Sequence, residues 1–469
     1  MSSFINRIYS ISPDLFQNFL ISMFDLLSYR IRRKKTYKNW KKYYKQKQYS
    51  SLFGLQKIQN DKLTEFINFA NDNSKYYKYL YKDIDLSAIK GVRDLKMLPV
   101  IDKEEIRTNI NDIVTLSKKK AYIANTGGTT GKSLEILFSQ EDIQERWAIL
   151  DAFREEFGYK LGLRTAWFSG KTILSKKDER INRFWKTDYI YKIRYYSTFH
   201  INQNTIKYYI NNLNQYKPII ISGFPSNIFS IANFSITQDY PINFQSKAIF
   251  VTAETIIPYQ IEMIRKAFKC KVYNQYASSE GAPFITQCPE GKLHYQLLSG
   301  VIEIVDKDMC PSDKGEILVT SFTTHGTPLI RYRIGDEMKL SNEKCKCGQL
   351  NPIIEKIYGR VNDYIYSTER GEINLGNISN CVKYVSGIIN FQIIQKTFNL
   401  INVLIVRDVK VYSKKDEVTF LRELRERLGE KIEIVFNYVD EIGKSKSGKF
   451  QIVKNEINNF LKSETNAKN

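Results

Sequence analysis

The sequence predicts an α/β fold: a large N-terminal domain with mixed, mostly parallel sheets covered by helices, followed by a small α+β C-terminal domain. In the middle of the chain, short apolar strands alternate with helices, which is typical of a parallel sheet that is covered on both faces. From about residue 300, strands follow one another without long helices between them. Beyond residue 389 the order is strand, strand, helix, strand.

A length of 469 residues suits two or three domains, and 42% apolar residues indicate a globular protein. We predict a helical and basic segment over residues 1–60, packed on the main domain. The main domain is predicted over 61–361, and the small C-terminal domain over 362–469.

In the main domain, residues 139–157 have the pattern of a helix. Ser139 and Asp142 form a predicted capping box at its start, and Gly158 ends it. Three short strands follow along the chain, and the helix after the second has Pro258 near its start. The strands are predicted at 219–222, 248–252 and 270–273, and a polar loop is expected to open at Asn274.

The later elements are mostly strands. Strands are predicted at residues 301–305 and 316–320, in the last third of the main domain. In the C-terminal domain, strands are predicted at 389–396, 400–407 and 432–436, with a helix at 416–428 that Gly429 stops.

The formal charge of +21 is concentrated most clearly in residues 30–47, which contain ten basic residues and no acid. An apolar segment, 15–27, precedes them. The pair could attach to an anionic membrane surface through residues 15–47, or form a packed helix with a solvated basic tail; we favour the second interpretation. Aromatic residues between the lysines also leave open a nucleic-acid-binding protein.

Six cysteines in a chain of this length fit a reducing cytosol, and no apolar stretch approaches the ~20 residues of a membrane span. We therefore expect a cytoplasmic protein. Four residues could bind tetrahedral zinc, namely Cys288, His294, Cys345 and Cys347. Ordinary reduced cysteines are the alternative, and the sequence does not decide between them.

The run 126–133 has the composition of a phosphate-binding loop, with three glycines, three threonines and a lysine. It is not a P-loop, because Thr126 stands where that motif has its first glycine. Leu134, Ile136 and Phe138 alternate after it, so the loop is expected to lead into a strand.

Four further polar clusters follow predicted strands or lie at the predicted domain joint. Their residue types suit a nucleotide: an aromatic ring, carboxylates and a glycine-flanked lysine. The clusters are 274–281, 331–336, 359–363 and 443–450.

Together and in this order, the five clusters resemble the adenylate-forming enzymes, the superfamily of acyl-CoA synthetases and related ligases. The sequence is most similar to the phenylacetate–CoA ligase family, particularly its branch linked to capsule and surface-polysaccharide synthesis. The resemblance runs from about residue 60 to 455.

The resemblance implies a role for each matching residue. The loop would hold the ATP phosphates, Tyr276 would stack on adenine beside the backbone of Ser279, and Glu280 would hold Mg²⁺. Asp336, supported by Arg360, would bind the ribose hydroxyls, and Lys449 would reach the carboxylate and the α-phosphate. The loop residues are Thr126, Gly127, Gly128, Thr129, Thr130, Gly131 and Lys132.

The implied activity is an ATP-dependent, AMP-forming ligase that makes an acyl-adenylate and transfers the acyl group to CoA or to an amine, for example on an amino sugar. The small domain would rotate about a hinge between the two steps. The family commonly has Asp or Lys at the hinge, whereas this chain has Asn362 followed by Asp363. A member that has lost catalysis is a further alternative, against which Glu280, Asp336 and Lys449 argue.

Overall fold

The fold is described from a computed structural model. The structure describes residues 9, 11–48, 50–125, 134–171, 173–256, 258–360, 364–369, 371–374, 379–382, 385–444 and 450–457. Among these residues, no helix combines the length and the apolar character that crossing a lipid bilayer requires.

The α-helices of the described chain vary from one turn to six. They are α1 (Asp14–Arg32), α2 (Lys35–Lys47), α3 (Leu52–Asn73), α4 (Lys75–Leu80), α5 (Lys103–Thr108), α6 (Ile110–Ile113), α7 (Gln140–Glu156), α8 (Lys176–Arg180), α9 (Ile206–Tyr216), α10 (Pro225–Thr237), α11 (Pro258–Phe268) and α12 (Lys414–Leu428). Short 3₁₀ helices lie at Leu86–Ala88, Val92–Met97, Lys118–Lys120, Leu297–Ser299 and Ser379–Val382.

The strands are mostly short. They are β1 (Tyr122–Asn125), β2 (Glu135–Phe138), β3 (Thr165–Ser169), β4 (Trp185–Asp188), β5 (Ile193–Ser197), β6 (Ile220–Gly223), β7 (Ala248–Val251), β8 (Val272–Tyr276), β9 (Ile285–Gln287), β10 (Leu293–Tyr295), β11 (Gly300–Val305), β12 (Lys314–Ser321), β13 (Tyr332–Ser341), β14 (Ile353–Arg360), β15 (Tyr364–Ser367), β16 (Gly371–Asn374), β17 (Ile388–Thr397), β18 (Leu400–Arg407), β19 (Glu433–Tyr438) and β20 (Val453–Asn455).

The chain forms two compact units. The first comprises Met1–Ser22, Gly162–Val272 and Tyr358–Asn469, and the second comprises Met23–Leu161 and Tyr273–Ile357. In the first unit the strand order is β7-β6-β3-β5-β4, with parallel pairing from β7 to β5 and an antiparallel edge strand, β4. Strands β6 and β7 are buried throughout, as the apolar runs in the sequence predict.

The C-terminal part of the first unit has a core of its own. Strands β19-β18-β17-β20 form a sheet, β15 and β16 form a hairpin, and α12 packs on them. The ring of Phe420 on α12 meets those of Phe391 and Phe436 at 5.4 Å and 5.3 Å. The predicted strand, strand, helix, strand order is therefore confirmed, and β18 has the predicted bounds.

In the second unit the strand order is β11-β12-β13-β14-β10-β9-β8, and β1 and β2 form a separate antiparallel hairpin. The register is antiparallel between β11 and β12, β12 and β13, β8 and β9, β9 and β10, and β10 and β14. Strand pairing is thus mostly parallel in the first unit and antiparallel in these pairs of the second. The predicted helix after residue 139 is α7, with the Ser139–Asp142 capping box in place.

The prediction of a polar loop opening at Asn274 is wrong. Strand β8 continues to Tyr276, because Gln275 and Tyr276 pair with Thr286 and Ile285 of β9. Polar residues in this strand resemble a loop in the sequence, but the pairing with β9 satisfies their backbone groups.

Candidate active site

Tyr276 and Asp336, from two separate sequence clusters, meet in the second unit. The tyrosine ends β8, and its hydroxyl donates to the Asp336 carboxylate at 2.6 Å. Asp336 lies in a bulge of β13: residues 334–336 face the single residue 317 between the pairs Leu318–Arg333 and Glu316–Glu337. Gly335 supplies the φ of +82° within this bulge. Bulges commonly redirect a side chain beside a functional site.

The turn after β8 is fixed by its own hydrogen bonds. The Ser278 hydroxyl accepts the N–H groups of Gly281 and Ala282 at 3.1 Å and 2.9 Å. Gly281 has φ of +101°, and a Cβ there would lie 2.4 Å from the Thr324 side chain, so only glycine fits. This turn exposes Ser279 and buries Glu280.

Arg146 anchors this turn and was not identified from the sequence. It extends from α7 and donates to the carbonyl of Gly281 at 2.8 Å and to the Thr323 hydroxyl at 2.9 Å. Its guanidinium lies 4.5 Å from the Phe284 ring centroid, and burial lowers its pKa to about 10. The signal in the sequence is an arginine between two apolar positions of a helix. Such a position is expected to be buried, and a buried charge needs fixed partners.

The carboxylate of Glu280 is buried, and no described residue forms an ion pair with it. A buried carboxylate is normally paired or bound to a metal ion. Carboxylate oxygens are ligands that suit Mg²⁺, so Glu280 fits the magnesium ion that the resemblance assigns to it.

In the first unit, polar groups collect at the carboxyl ends of β6 and β7. The Glu254 carboxylate accepts the N–H of Ser226, near the start of α10, at 3.1 Å and that of Phe450 at 2.8 Å. The Lys444 ammonium donates to the Thr198 carbonyl and to the Asn227 amide at 3.0 Å. Burial lowers the pKa of Lys444 to about 8. Ligands of open α/β sheets collect at this end of the strands.

Other predicted site residues lie outside the described part of the chain. These are the phosphate loop 126–132 and Lys449, together with the side chain of Arg360, whose backbone belongs to β14. The expectation that the loop leads into a strand is met by β2, which pairs with β1 in register from Tyr122–Phe138 to Asn125–Glu135.

The structure brings Cys288, His294, Cys345 and Cys347 together, with all ligand atoms within 4.8 Å of one another. The sulfurs of Cys288 and Cys345 are 3.6 Å apart, and the Cys347 sulfur is 3.4 Å from Nε2 of His294. Zn–S bonds of 2.3 Å in a tetrahedron place sulfurs about 3.8 Å apart. No disulfide joins any of the six cysteines, all of which lie in the described part of the chain.

Neighbouring groups orient these four side chains. Nδ1 of His294 is 2.8 Å from the Asn351 carbonyl, which can only accept, so Nδ1 carries the proton and Nε2 presents a lone pair to Cys347. Burial lowers the pKa of His294 and favours this neutral form. The N–H of Gln349 points to the Cys347 sulfur at 3.4 Å. Such outer contacts commonly orient metal ligands.

The chain is similar to several known proteins. Residues 365–456 match the family described as the CapK C-terminal domain. Protein CapK of Staphylococcus aureus is 34% identical over 463 residues, which cover 97% of this chain and 100% of that protein.

More distant relatives have names that state an activity. Indoleacetate–lysine synthetase of Pseudomonas savastanoi is 26% identical over 248 residues, covering 52% of this chain and 60% of the synthetase. Phenylacetate–coenzyme A ligase of Thermus thermophilus is 21% identical over 330 residues, covering 66% and 71%. A solved structure of 2-hydroxyisobutyryl-CoA ligase in the postadenylation state, with R3-HIB-AMP, has a TM-score of 0.72, 16% identity, and coverage of 89% of this chain and 93% of that one.

The fold is that of the adenylate-forming enzymes, the superfamily of acyl-CoA ligases and related acid–amine ligases. The predicted fold class and the predicted resemblance are thereby confirmed. Within this superfamily, the chain belongs to the CapK family.

Proposed function

We propose that the protein is an ATP-dependent, AMP-forming ligase that activates a carboxylic acid and transfers its acyl group to CoA or to an amine. The observation that carries the proposal is the 2.6 Å hydrogen bond between Tyr276 and Asp336. It brings together a ring that we assign to stacking on adenine and a carboxylate that we assign to the ribose hydroxyls. The buried Glu280, which has no ion-pair partner among the described residues, lies four residues beyond the ring.

In the first step, an oxygen of the substrate carboxylate attacks the α-phosphorus of ATP, the bond to the β-phosphate oxygen breaks, and pyrophosphate leaves. Tyr276 and Asp336 hold the adenosine, so the α-phosphorus is presented in a fixed position. Mg²⁺, when bound at Glu280, supplies positive charge to the phosphates. We assign the same electrostatic role to the loop 126–132 and to Lys449.

In the second step, a thiol or amine attacks the acyl carbonyl, AMP leaves, and the nucleophile loses its proton to solvent. Both kinds of acceptor occur among the named relatives, a lysine in one and coenzyme A in the other. We propose that the acceptor belongs to surface-polysaccharide synthesis, with the amine of an amino sugar as one candidate and CoA as the other. We also propose that residues 362–469 move as a domain between the two steps.

Pyrophosphate release tests the proposal. The purified protein, with ATP and Mg²⁺, is incubated with a panel of carboxylic acids, with and without CoA or amino sugars. Release that depends on one acid is the expected result, and the added acceptor that accelerates AMP formation identifies the second substrate. The variant Asp336→Ala is the control, and equal release from both proteins would count against the site.

A second proposal concerns zinc. We propose that Cys288, His294, Cys345 and Cys347 bind a structural zinc ion, because their ligand atoms all lie within 4.8 Å of one another and His294 presents Nε2. The alternative is a set of reduced thiols. The expected result of elemental analysis is about one zinc per chain, lost in Cys345→Ser together with thermal stability. Cys310→Ser, an exposed thiol elsewhere, is the matched control. Folded wild-type protein without metal would decide for reduced thiols.

We propose, finally, that the enzyme works in the cytoplasm and contacts the inner face of the membrane through residues 15–47.

A further inference from the structure

The polarity of helix α1 is largely reversed: several of its large apolar side chains face solvent, whereas Gln17, Asn18, Ser22 and Asp25 are buried. Leu15 is 74% exposed, Phe19 54% and Leu27 58%. We call the whole set the apolar stripe, and it consists of Ile11, Leu15, Phe16, Phe19, Met23, Phe24 and Leu27, all among the exposed large apolar residues. A surface helix normally shows the opposite pattern, so this face is built for a partner.

The buried polar side of α1 explains why the helix is held in this orientation. The Asn18 amide oxygen accepts the N–H of Thr187 at 2.9 Å, and the Ser22 hydroxyl accepts that of Tyr189 at 3.0 Å. Asp14 binds the buried Lys186 ammonium at 2.7 Å. Rotating α1 to bury its apolar side would break these bonds and leave buried polar groups without hydrogen-bond partners, which is unfavourable.

The basic segment after α1 divides into two sets. Arg33 pairs with Asp151 at 2.6 Å, and Lys41 and Lys45 both pair with Glu155 at 2.6 Å. A second set, which we call the basic row, is exposed and has no ion-pair partner among the described residues; it consists of Arg30, Lys34, Lys38 and Lys42. Lys38 and Lys42, four residues apart, share one side of α2, and Lys34 is the residue that caps its start. Arg30 lies in the last turn of α1.

We propose that the apolar stripe and the basic row together bind the surface of a lipid bilayer that contains anionic headgroups. Insertion of α1 in the plane of the interface removes the stripe from water, and the row meets negative headgroups beside it. Neither signal alone anchors a protein stably, whereas an apolar insertion combined with a polybasic patch does.

The same features argue against the other occupants. A nucleic acid would pair with the basic row but leave seven apolar side chains in water. A second copy on a two-fold axis would bring an identical basic row to the same interface, where like charges repel. The inference deepens the proposed membrane contact, and it is independent of the ligase chemistry because vesicle binding needs neither ATP nor an acid.

Co-sedimentation of the full chain with vesicles tests the proposal. We expect the protein to bind vesicles of mixed phosphatidylcholine and phosphatidylglycerol, to bind phosphatidylcholine alone much more weakly, and to lose affinity as salt rises. Equal binding to both vesicles would overturn the electrostatic part of the proposal.

Two triple variants separate the two signals. Lys34→Gln, Lys38→Gln and Lys42→Gln together should lower the affinity about a hundredfold, at roughly fivefold for each lysine. Its control changes the same charge on three other exposed lysines, Lys57→Gln, Lys75→Gln and Lys78→Gln, and should bind like the wild type.

Leu15→Gln, Phe19→Gln and Leu27→Gln together should lower the affinity about tenfold or more. Its control removes three equally exposed apolar side chains elsewhere, Phe53→Gln, Val409→Gln and Val418→Gln. Because every substituted side chain is exposed, all four proteins should keep the wild-type thermal midpoint.

Three outcomes would overturn the proposal. In the first, stripe and control variants bind vesicles equally. In the second, the wild type is a dimer by sedimentation equilibrium, and the stripe variant becomes a monomer without losing vesicle binding. In the third, a nucleic acid competes with vesicles and the row variant alone loses both ligands. A protein that is active as a ligase but does not bind vesicles would show that the membrane proposal alone had failed. A protein that binds vesicles but has no ligase activity would show that the proposed enzymatic function alone had failed.

Discussion

Tyr276 and Asp336 form one unit although a long stretch of chain separates them. Because the hydroxyl of Tyr276 occupies one oxygen of the carboxylate, the orientation of Asp336 is set before any ligand binds. Preorganisation of this kind lowers the cost of ordering side chains around a nucleotide.

We predict that Asp336→Ala weakens ATP binding by about 1.5–3 kcal/mol, the value of hydrogen bonds to a charged group. Tyr276→Phe keeps the ring and loses only the bond to Asp336, so its effect should be smaller, about 0.5–1.5 kcal/mol. Calorimetric titration with ATP measures both. An unchanged affinity in Asp336→Ala would remove the ribose assignment.

His325 should make the stability of the protein depend on pH. Burial opposes its protonation, but the hydrogen bond to Asp142 at 2.6 Å and the charges of Asp142 and Glu145 outweigh that effect and raise its pKa. Below about pH 6.5, the unfolded-state pKa, histidine is protonated in both states and the extra stability is fully present. As pH rises through the higher folded-state pKa, that stability is lost.

We therefore predict that the free energy of unfolding decreases above about pH 6.5 and that His325→Gln removes this part of the decrease. The side chain is 40% exposed, so solvent screening limits the effect to about 1 kcal/mol or less. Urea unfolding at a series of pH values measures it. A slope in His325→Gln that equals the wild-type slope would contradict this assignment.

At the scale of elements, α12 stabilises the C-terminal core through one face. Leu424 is fully buried there, whereas Val418 on the same helix is 59% exposed. We predict that Leu424→Ala lowers the free energy of unfolding by about 2–5 kcal/mol and that Val418→Ala changes it by less than about 0.5 kcal/mol. Denaturant unfolding of the two variants gives the comparison. Similar losses in both would show that this helix does not hold the core.

The elements that the sequence predicted well are those whose polarity follows burial. Strands β6 and β7 are apolar runs buried on both faces, and α12 has a regular apolar face ended by Gly429. The sequence predicted elements less accurately where the hydrogen-bond partners of polar residues are distant in the sequence. Strand β8 looked like a loop after Tyr273 because its partner β9 is not visible locally.

The residues of the candidate site divide in the same way, into those that a local sequence motif indicates and those that depend on contacts distant in the sequence. Tyr276, Glu280 and Asp336 stand in local motifs, so their residue types suggested a nucleotide. Arg146 has no motif, and its role depends on carbonyl groups more than a hundred residues away. The polarity of α1 could not be predicted either, because a single amphipathic helix does not reveal which side its protein will bury.

At the scale of the whole molecule, the proposed reaction requires two arrangements of residues 362–469. Lys449 would serve the attack of the carboxylate and not the later transfer. We predict that Lys449→Ala slows adenylation about a hundredfold or more and leaves transfer from supplied acyl-adenylate near the wild-type rate. Single-turnover assays of the two half-reactions measure this. Equal slowing of both steps would contradict the two-arrangement account.

A proline in place of Asn362 should have the opposite effect. It fixes φ at the hinge, so the first step should proceed while transfer is blocked. The two variants thus form a complementary pair, and each serves as the control for the other.

The contact between α1 and β4 has one more consequence. β4 lies at the end of its strand order, and the backbone amides of Thr187 and Tyr189 would be free to pair with another chain if Asn18 and Ser22 did not occupy them. A chain shortened at its N-terminus would therefore expose unpaired backbone groups along the edge of β4, and copies of that chain would aggregate edge to edge. The segment that we propose to meet lipid thus also keeps copies of the protein apart in water.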